Sequence, residues 1–471
     1  TKRSNVSYPA SSNFSTCFCR VSGFKYVFDV GKTLGARTST PGATGAGAAG
    51  GESLVGARYS SPTAEIAAGD IKINGQDVGK IAASADMEKA LEAINNNVDN
   101  VEATAFNVVV AKMKGNGVTT AGQFDIEITE LGQNAATTFN ISASSSMQEL
   151  VANINAEAGG VVDASINDEG KLVLSNSTGA TINVTDNSAS GGATYDGGSG
   201  FGGTTQETFA GFIKLTSLDG TPVRIEQGNK ALADAGTVAG VQAGFDDLEK
   251  LGFRETMGGV TLDDVRLDDA YTVFGKTLTA PGTEWGKGDL VINGVEIFDS
   301  NVKTDTAAKK VEAINNFSQE TGVTASLSHR LIFDFSAKYA TTNTSTDTFV
   351  INGSHATVGT SIDNLVSNIN ALTATTGVTA EEVGTNLVLH ASGLSQIVIE
   401  EQNNANTTTN TEDKVTDQTY QAQIRLDSTL NSPISIELGD NSAVGEHGFL
   451  EANVGAADFE VNSLTRFWRL A

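Results

Sequence analysis

Two tripeptides carry the residue types that cradle a phosphate: Gly31-Lys32-Thr33 and Gly275-Lys276-Thr277. Each sets a backbone amide, an ammonium and a hydroxyl in a row. A phosphate-binding loop also needs a glycine five positions before the first of these, where the backbone wraps the anion. Those positions are Tyr26 and Ala270, so neither tripeptide completes the loop. The four histidines, His329, His355, His390 and His447, fit no metal-ligand spacing. Cys17 and Cys19, one residue apart, form neither a disulfide framework nor a zinc site. The acidic pairs Asp246-Asp247, Asp263-Asp264 and Asp268-Asp269 offer oxygen for calcium, but no calcium loop or glycine-rich nonapeptide frames them. They read as solvated faces. No Gly-x-Ser-x-Gly elbow occurs, and Trp285 and Trp468 stand alone as packing residues do. The expectation is no catalytic residue, no cofactor and no metal, hence not an enzyme.

Bulk properties narrow the partners. At 471 residues the chain exceeds one ordinary core, so two or more domains are expected. With 30 basic against 56 acidic residues, the net charge of −26 opposes binding to nucleic acid or an anionic membrane. No run of eighteen apolar residues occurs, so no membrane insertion is expected. No charged stretch followed by an apolar core opens the chain, so no secretory signal is read.

What recurs is a phrase. Gly69-Asp-Ile-Lys-Ile-Asn-Gly75 returns as Gly288-Asp-Leu-Val-Ile-Asn-Gly294, and further blocks follow in the same order. Val27 to Leu34 resembles Val273 to Leu278, Met147 to Asn155 matches Ile362 to Asn370, and Pro222 to Ile225 matches Pro433 to Ile436. The offset falls from 244 (Gly31 to Gly275) to 219 (Gly69 to Gly288), 215 (Leu150 to Leu365) and 211 (Pro222 to Pro433). Falling offset with preserved order indicates a tandem duplication with loop deletions in the second copy.

Four stretches place residues at i, i+3, i+4 and i+7, the stripe of a three-turn helix. They are Met87, Ala90, Leu91 and Ile94; Met147, Leu150, Val151 and Ile154; Ala307, Lys310, Val311 and Ile314; Ile362, Leu365, Val366 and Ile369. Lys310 breaks the third stripe, although its stem can lie on apolar surface. Ser145 with Gln148 reads as a capping box for the second helix. Every stripe closes on Ile-Asn: Ile94-Asn95, Ile154-Asn155, Ile314-Asn315 and Ile369-Asn370. Asn74-Gly75, Asn293-Gly294 and Asn352-Gly353 predict tight turns, since both residue types tolerate positive φ. Helices this short need a sheet to dock on, and alternating segments before and after them supply it. The fold expected is α+β: tandem β-rich modules, each with a short amphipathic helix packed on a small antiparallel sheet. Residues 1–59 form a Gly/Ala/Ser-rich segment with a strand near 27–34. The first repeat spans 60–258 with two modules and a hairpin region, 259–275 is a connector, the second repeat spans 276–455, and 456–471 is a tail.

Gly288 to Ile297, the helix ending Glu312-Ala-Ile-Asn315, and Thr321 to Ser326 closely resemble the IN motif of bacterial flagellins and flagellar hook-associated proteins. Gly69 to Asn95 and Thr348 to Ala380 resemble it too. Phe124 to Ser165 is a degenerate copy, with Phe139-Asn140-Ile141 where Ile-Asn-Gly would stand. Phe245 to Arg254 also looks like flagellin outer-domain sequence. The resemblance implies a structural subunit, or a fragment of one, of an extracellular bacterial flagellar filament. The chain would supply solvent-exposed outer domains acting in motility and surface contact, and would associate with other filament subunits through contacts between neighbouring outer domains. In flagellins such domains are inserted between terminal helices that build the filament core, and neither end of this chain carries a heptad-patterned helix. Two alternatives remain: a filament-cap or hook-associated protein, which also carries the motif, and a cell-surface module binding polysaccharide or a host ligand.

Overall fold

The computed structural model describes residues 16–21, 24–29, 53–188, 198–202, 206–228, 245–256, 271–334, 348–402, 418–439 and 442–454. All four helical stripes are helices, and each begins at a short side chain that accepts a hydrogen bond from a first-turn amide. Asp86 accepts from the Lys89 amide, Ser146 from Glu149, Thr306 from Lys309 and Ser361 from Asn364. The second cap is therefore Ser146 and not Ser145. Ser145 instead donates its amide and hydroxyl to the Glu149 carboxylate, each at 2.7 Å. Ile94, Ile154, Ile314 and Ile369 are all fully buried.

Strands β1 (Thr16–Val21) and β2 (Phe24–Asp29) form a separate antiparallel hairpin that pairs Cys17 with Phe28 and Cys19 with Tyr26. The first half of the chain then runs β3 (Ser53–Arg58), β4 (Ile71–Ile73), β5 (Gln76–Asp77), α1 (Met87–Asn97), β6 (Val101–Lys114), β7 (Phe124–Thr129), β8 (Thr137–Asn140), α2 (Met147–Glu157), β9 (Asp163–Ile166), β10 (Lys171–Asn176), β11 (Thr181–Asp186), β12 (Glu207–Phe209), β13 (Phe212–Ser217), β14 (Ile225–Gln227) and α3 (Phe245–Lys250). The second half runs β15 (Thr272–Phe274), β16 (Leu290–Ile292), β17 (Val295–Glu296), α4 (Ala307–Asn316), α5 (Ser318–Thr321), β18 (Val323–Asp334), β19 (Thr348–Ile351), β20 (Ser354–Thr357), α6 (Ile362–Ala371), α7 (Thr373–Thr376), β21 (Val378–Val383), β22 (Asn386–Ser392), β23 (Gln396–Gln402), β24 (Gln418–Gln421), β25 (Gln423–Ser428), β26 (Ile436–Leu438) and α8 (Val444–His447).

The fold is α+β and β-rich, with antiparallel pairing throughout the sheets described. Strand orders coincide between halves: β3-β13-β6-β10-β9 with β15-β25-β18-β22-β21, β12-β11-β7-β8 with β24-β23-β19-β20, and β14-β4-β5 with β26-β16-β17. Within a half the two modules are nested. The long strand β6 first buries Val101, Ala103 and Ala105 in one core and then Val109 and Ala111 in another. The chain builds the whole second module before β13 and β14 return to close the first. Strand β18 repeats this, burying Val323, Ala325 and Leu327 in one core, then Leu331 and Phe333 in the next.

The strand that matches β15 in the sheet is β3, at the same offset of 219 that relates Gly56 to Gly275 and Gly69 to Gly288. The similar phrase beginning at Val27 is not its equivalent, because Val27, Phe28 and Asp29 pair within the β1–β2 hairpin; residues 30–34 lie outside the described residues. The sheets thus take in Ser53–Arg58 from the 1–59 segment and Thr272–Phe274 from the 259–275 connector. Phe139-Asn140-Ile141 sits at and just beyond the end of β8, so the turn of that hairpin is the longer loop 130–136. Lys310 does not keep its ammonium in water. It is 0% exposed, donates to the Thr283 carbonyl and lies 4.7 Å from the Trp285 ring centroid. Burial pulls its pKa down to about 8.

Each docking isoleucine contributes about 1.5–3 kcal/mol of transfer free energy. Truncation also leaves a cavity, so Ile314→Ala and Ile369→Ala should each cost about 2–5 kcal/mol. Glu312→Ala, on the exposed face of α4, should change stability by less than about 0.5 kcal/mol. Urea unfolding followed by circular dichroism checks this, and equal effects at all three positions would contradict the docking.

Candidate functional site

The recurring polar group of this chain is the asparagine of each Ile-Asn pair. It stands in the last turn of its helix beside the strand that follows. Asn95 donates Nδ2 to the Ala103 carbonyl (2.9 Å) and accepts the Ala103 amide on Oδ1 (2.8 Å). Asn155 does the same with Ala164 at 3.0 and 2.7 Å. Asn315 does so with Ala325 at 2.9 and 2.7 Å, and Asn370 with Ala380 at 2.8 and 2.7 Å. A side-chain carboxamide thereby takes the place of a missing neighbour strand.

The four alanines are the residues that sequence reading passed over. Each faces a leucine across the next strand: Ala103 opposite Leu215, Ala164 opposite Leu174, Ala325 opposite Leu426 and Ala380 opposite Leu389. The leucines are fully buried and fill the core. A small residue under the helix lets the carboxamide reach the strand. A signal was present in the phrases Val101-Glu-Ala103, Val162-Asp-Ala164, Val323-Thr-Ala325 and Val378-Thr-Ala380, in which every valine is buried.

The turn asparagines use the same group differently. Asn74, Asn293 and Asn352 have φ of 50°, 49° and 48°, followed by Gly75, Gly294 and Gly353 at 75°, 77° and 79°. Two successive positive φ values match the twist of a hairpin. Each asparagine also grips a third strand or its approach. The Asn74 amide donates to the Arg224 carbonyl and its Oδ1 accepts the Arg224 amide, and Asn293 and Ser435, and Asn352 and Val398, are paired likewise.

Other titratable groups do structural work. His447 is fully buried and its Nδ1 accepts the Phe449 amide at 2.9 Å, so its proton lies on Nε2, which faces Ser442 Oγ at 2.7 Å. The imidazole therefore donates to that hydroxyl and cannot take its proton. Burial, with Lys310 and Arg254 nearby, lowers its pKa to about 4. Burial likewise lowers that of His329 to about 4, with its Nε2 donating to the Leu394 carbonyl. His390 bonds Glu381 at 2.9 Å, and that bond holds the carboxyl below its ordinary value. His355 is exposed. Lys276 pairs with Glu249 at 3.1 Å, and the Gly275 amide is bonded to the Ile424 carbonyl, so this tripeptide serves the sheet. Gly31-Lys32-Thr33, Asp263-Asp264, Asp268-Asp269 and Trp468 lie outside the described residues. Among the described residues no cluster of three metal-ligating side chains occurs, and no helix is long and apolar enough to cross a membrane.

The two halves meet through polar contacts. Glu255 and Arg330, 2% and 6% exposed, pair at 3.2 Å. Arg254 Nε donates to the Gly448 carbonyl at 3.0 Å. Asn453, also at positive φ, donates its amide to the Val55 carbonyl and accepts the Val55 amide, each at 2.9 Å. A cavity of about 30 Å³ lies at this junction, between Val223, Thr256, Tyr271 and Ile434. That is room for roughly two waters.

Residues 123–178 match the flagellin hook IN motif family. The matched stretch holds β7, β8, α2, β9 and β10, with the Asn155–Ala164 clamp inside it, so the chain carries this flagellar motif. No curated protein matches the sequence. Among solved structures, the flagellar cap protein FliD from Helicobacter pylori is similar at 9% identity over 82% of this chain and 84% of that one, with a TM-score of 0.18. The D1-D2-D3 domains of the flagellar cap protein FliD from Escherichia coli are similar at 18% identity over 28% of this chain and 55% of that one, with a TM-score of 0.14.

Asn95→Asp should destabilise the first module by about 1–3 kcal/mol, because it removes the donor and turns an oxygen toward the Ala103 carbonyl. Asn96→Asp, next to it and exposed, should be near neutral. Thermal melts of the two variants decide this, and matching losses would refute the clamp. The histidines give a second expectation. His329 and His447 have folded pKa values of about 4, below the ordinary 6.5. Between these values the unfolded chain binds more protons, so stability falls as pH drops through that window, on the order of 3 kcal/mol per histidine. Trp285 fluorescence in a Trp468→Phe background should report a lower melting temperature for the second half near the bottom of the window. A loss that persists in the His329→Gln/His447→Gln variant would assign it elsewhere.

Proposed function

We propose that this chain is a non-enzymatic structural protein of the bacterial flagellum, and that its two halves are outer domains exposed on an extracellular filament. The carrying observation is the clamp module. One built unit, present four times among the described residues, contains in one copy the stretch that matches the flagellin hook IN motif. Its recurring polar side chains are committed to the backbone of the module itself, which suits a structural role. The halves extend over 60–258 and 276–455 together with their leading strands β3 and β15, and their matching strand orders support an origin by duplication. The net charge of −26 favours solubility of a crowded exterior and suits contacts between neighbouring subunits made without membrane or nucleic acid.

Immunogold electron microscopy on cells of the native source tests this. Label along the filament is the expected result. Label confined to the filament tip would assign the cap role instead, and label found only on soluble protein would overturn the flagellar reading.

A further inference from the structure

The sequence holds four Asn-Gly pairs: the three at the turns and Asn116-Gly117. Asn-Gly is chemically labile. The glycine amide nitrogen attacks the asparagine Cγ, the N–Cγ bond forms and the Cγ–Nδ2 bond breaks. The glycine amide proton leaves with the departing nitrogen as ammonia. Water then opens the cyclic imide at either carbonyl, giving aspartate or isoaspartate. For this to happen in a folded chain, the side chain must leave its partners and the glycine nitrogen must be free to approach.

We propose that Asn74 is the deamidation site of the folded chain and that the other three Asn-Gly pairs are protected. All three turn asparagines hold Oδ1 on a cross-strand amide, at 2.8 Å to Arg224, 2.8 Å to Ser435 and 2.9 Å to Val398. Two of them also hold the nitrogen that must leave. Asn293 Nδ2 donates to the Thr321 carbonyl at 2.8 Å and Asn352 Nδ2 to the Thr376 carbonyl at 2.9 Å. Those carbonyls end the short helices α5 and α7. The first half passes from α1 to β6 without such a helix, and its equivalent carbonyl, that of Asp99, takes the Gln76 side chain instead. Among the described residues no carbonyl receives Asn74 Nδ2. Asn116 is protected at the other reactant, since the Gly117 nitrogen donates to the Gly198 carbonyl at 3.1 Å while Gly198 donates to Asn116 Oδ1 at 2.9 Å.

The products differ in what the fold tolerates. Aspartate at position 74 keeps an acceptor for the Arg224 amide, whereas at 293 or 352 it would set an oxygen against a carbonyl. Isoaspartate at 74 adds a methylene to the main chain inside a two-residue turn and should loosen the β4–β5 hairpin. The inference is independent of the flagellar reading.

The three turn pairs share the tripeptide Ile-Asn-Gly, so local sequence is held constant. The full chain is incubated in mildly alkaline buffer, folded and in concentrated urea, and deamidation at each pair is followed by peptide mass spectrometry. In urea the three tripeptides should react at one rate. In the folded chain Asn74 should react roughly fivefold faster than Asn293 or Asn352, the factor one ordinary net hydrogen bond supplies, and faster than Asn116. Equal rates in the folded chain, or a faster Asn293, Asn352 or Asn116, would overturn the proposal. So would a ranking that persists unchanged in urea, because the fold would then not be its cause.

Discussion

A helix laid beside a strand leaves that strand with an amide and a carbonyl that no neighbour can reach, and this constraint governs the whole structure. The groups at Ala103, Ala164, Ala325 and Ala380 sit under the edge of a helix, where an unmade hydrogen bond costs about 1–3 kcal/mol. A carboxamide carries one donor and one acceptor in the same planar arrangement as a peptide, so one asparagine satisfies both. Aspartate lacks the donor, serine is too short and glutamine adds a methylene. Isoleucine before it packs down into the core while asparagine reaches sideways, so the pair fixes both the depth and the rotation of the helix. It also covers an edge that would otherwise invite another chain to pair with it.

The same group works with a left-handed backbone at the turns and at the junction between halves. Asn293, Asn352 and Asn453 each give an amide to one carbonyl, take that residue's amide on Oδ1, and send Nδ2 to a second carbonyl. At Asn293 and Asn352 the result ties a hairpin to its third strand. At Asn453 it ties the end of the second half to the first strand of the first half. At the point where the long strand passes between cores, the buried residue is Asn107 in one half and His329 in the other. Asn107 feeds the Ala180 and Phe209 carbonyls, and His329 feeds that of Leu394.

The helices and the α+β class are legible in the sequence because a 3.6-residue stripe depends only on neighbours along the chain. The Asn-Gly turns are legible for the same reason, since positive φ is a local demand. The clamp is harder to see: Asn and its Ala partner lie eight to ten residues apart, and alanine is unremarkable until a helix is placed over it. Nesting is not legible at all from order alone. A tandem array and an inserted module share one sequence order, and only the pairing of β13 with β6 and of β25 with β18 separates them. Lys310 misleads because a lysine stem normally carries its charge to water. Here Trp285 and the Thr283 carbonyl make an interior place for it.

Nesting has a mechanical consequence that bears on the outer-domain reading. In each half the chain enters through the first module, by β3 or β15, and leaves through the same module, by the segment that carries α3 and Phe253 or α8 and Phe449. The second module is carried entirely between the long strand and its return. It can therefore lengthen, shorten or exchange loops without moving the points where the half is attached. The loops already show this freedom, since the hairpin of β7 and β8 has a long connection where β19 and β20 have a two-residue turn. A carrier that holds such a half by its entry and exit segments keeps one fixed attachment, while the far module remains open to change. That arrangement suits the proposed outer-domain role, in which an exterior varies while its attachment stays constant.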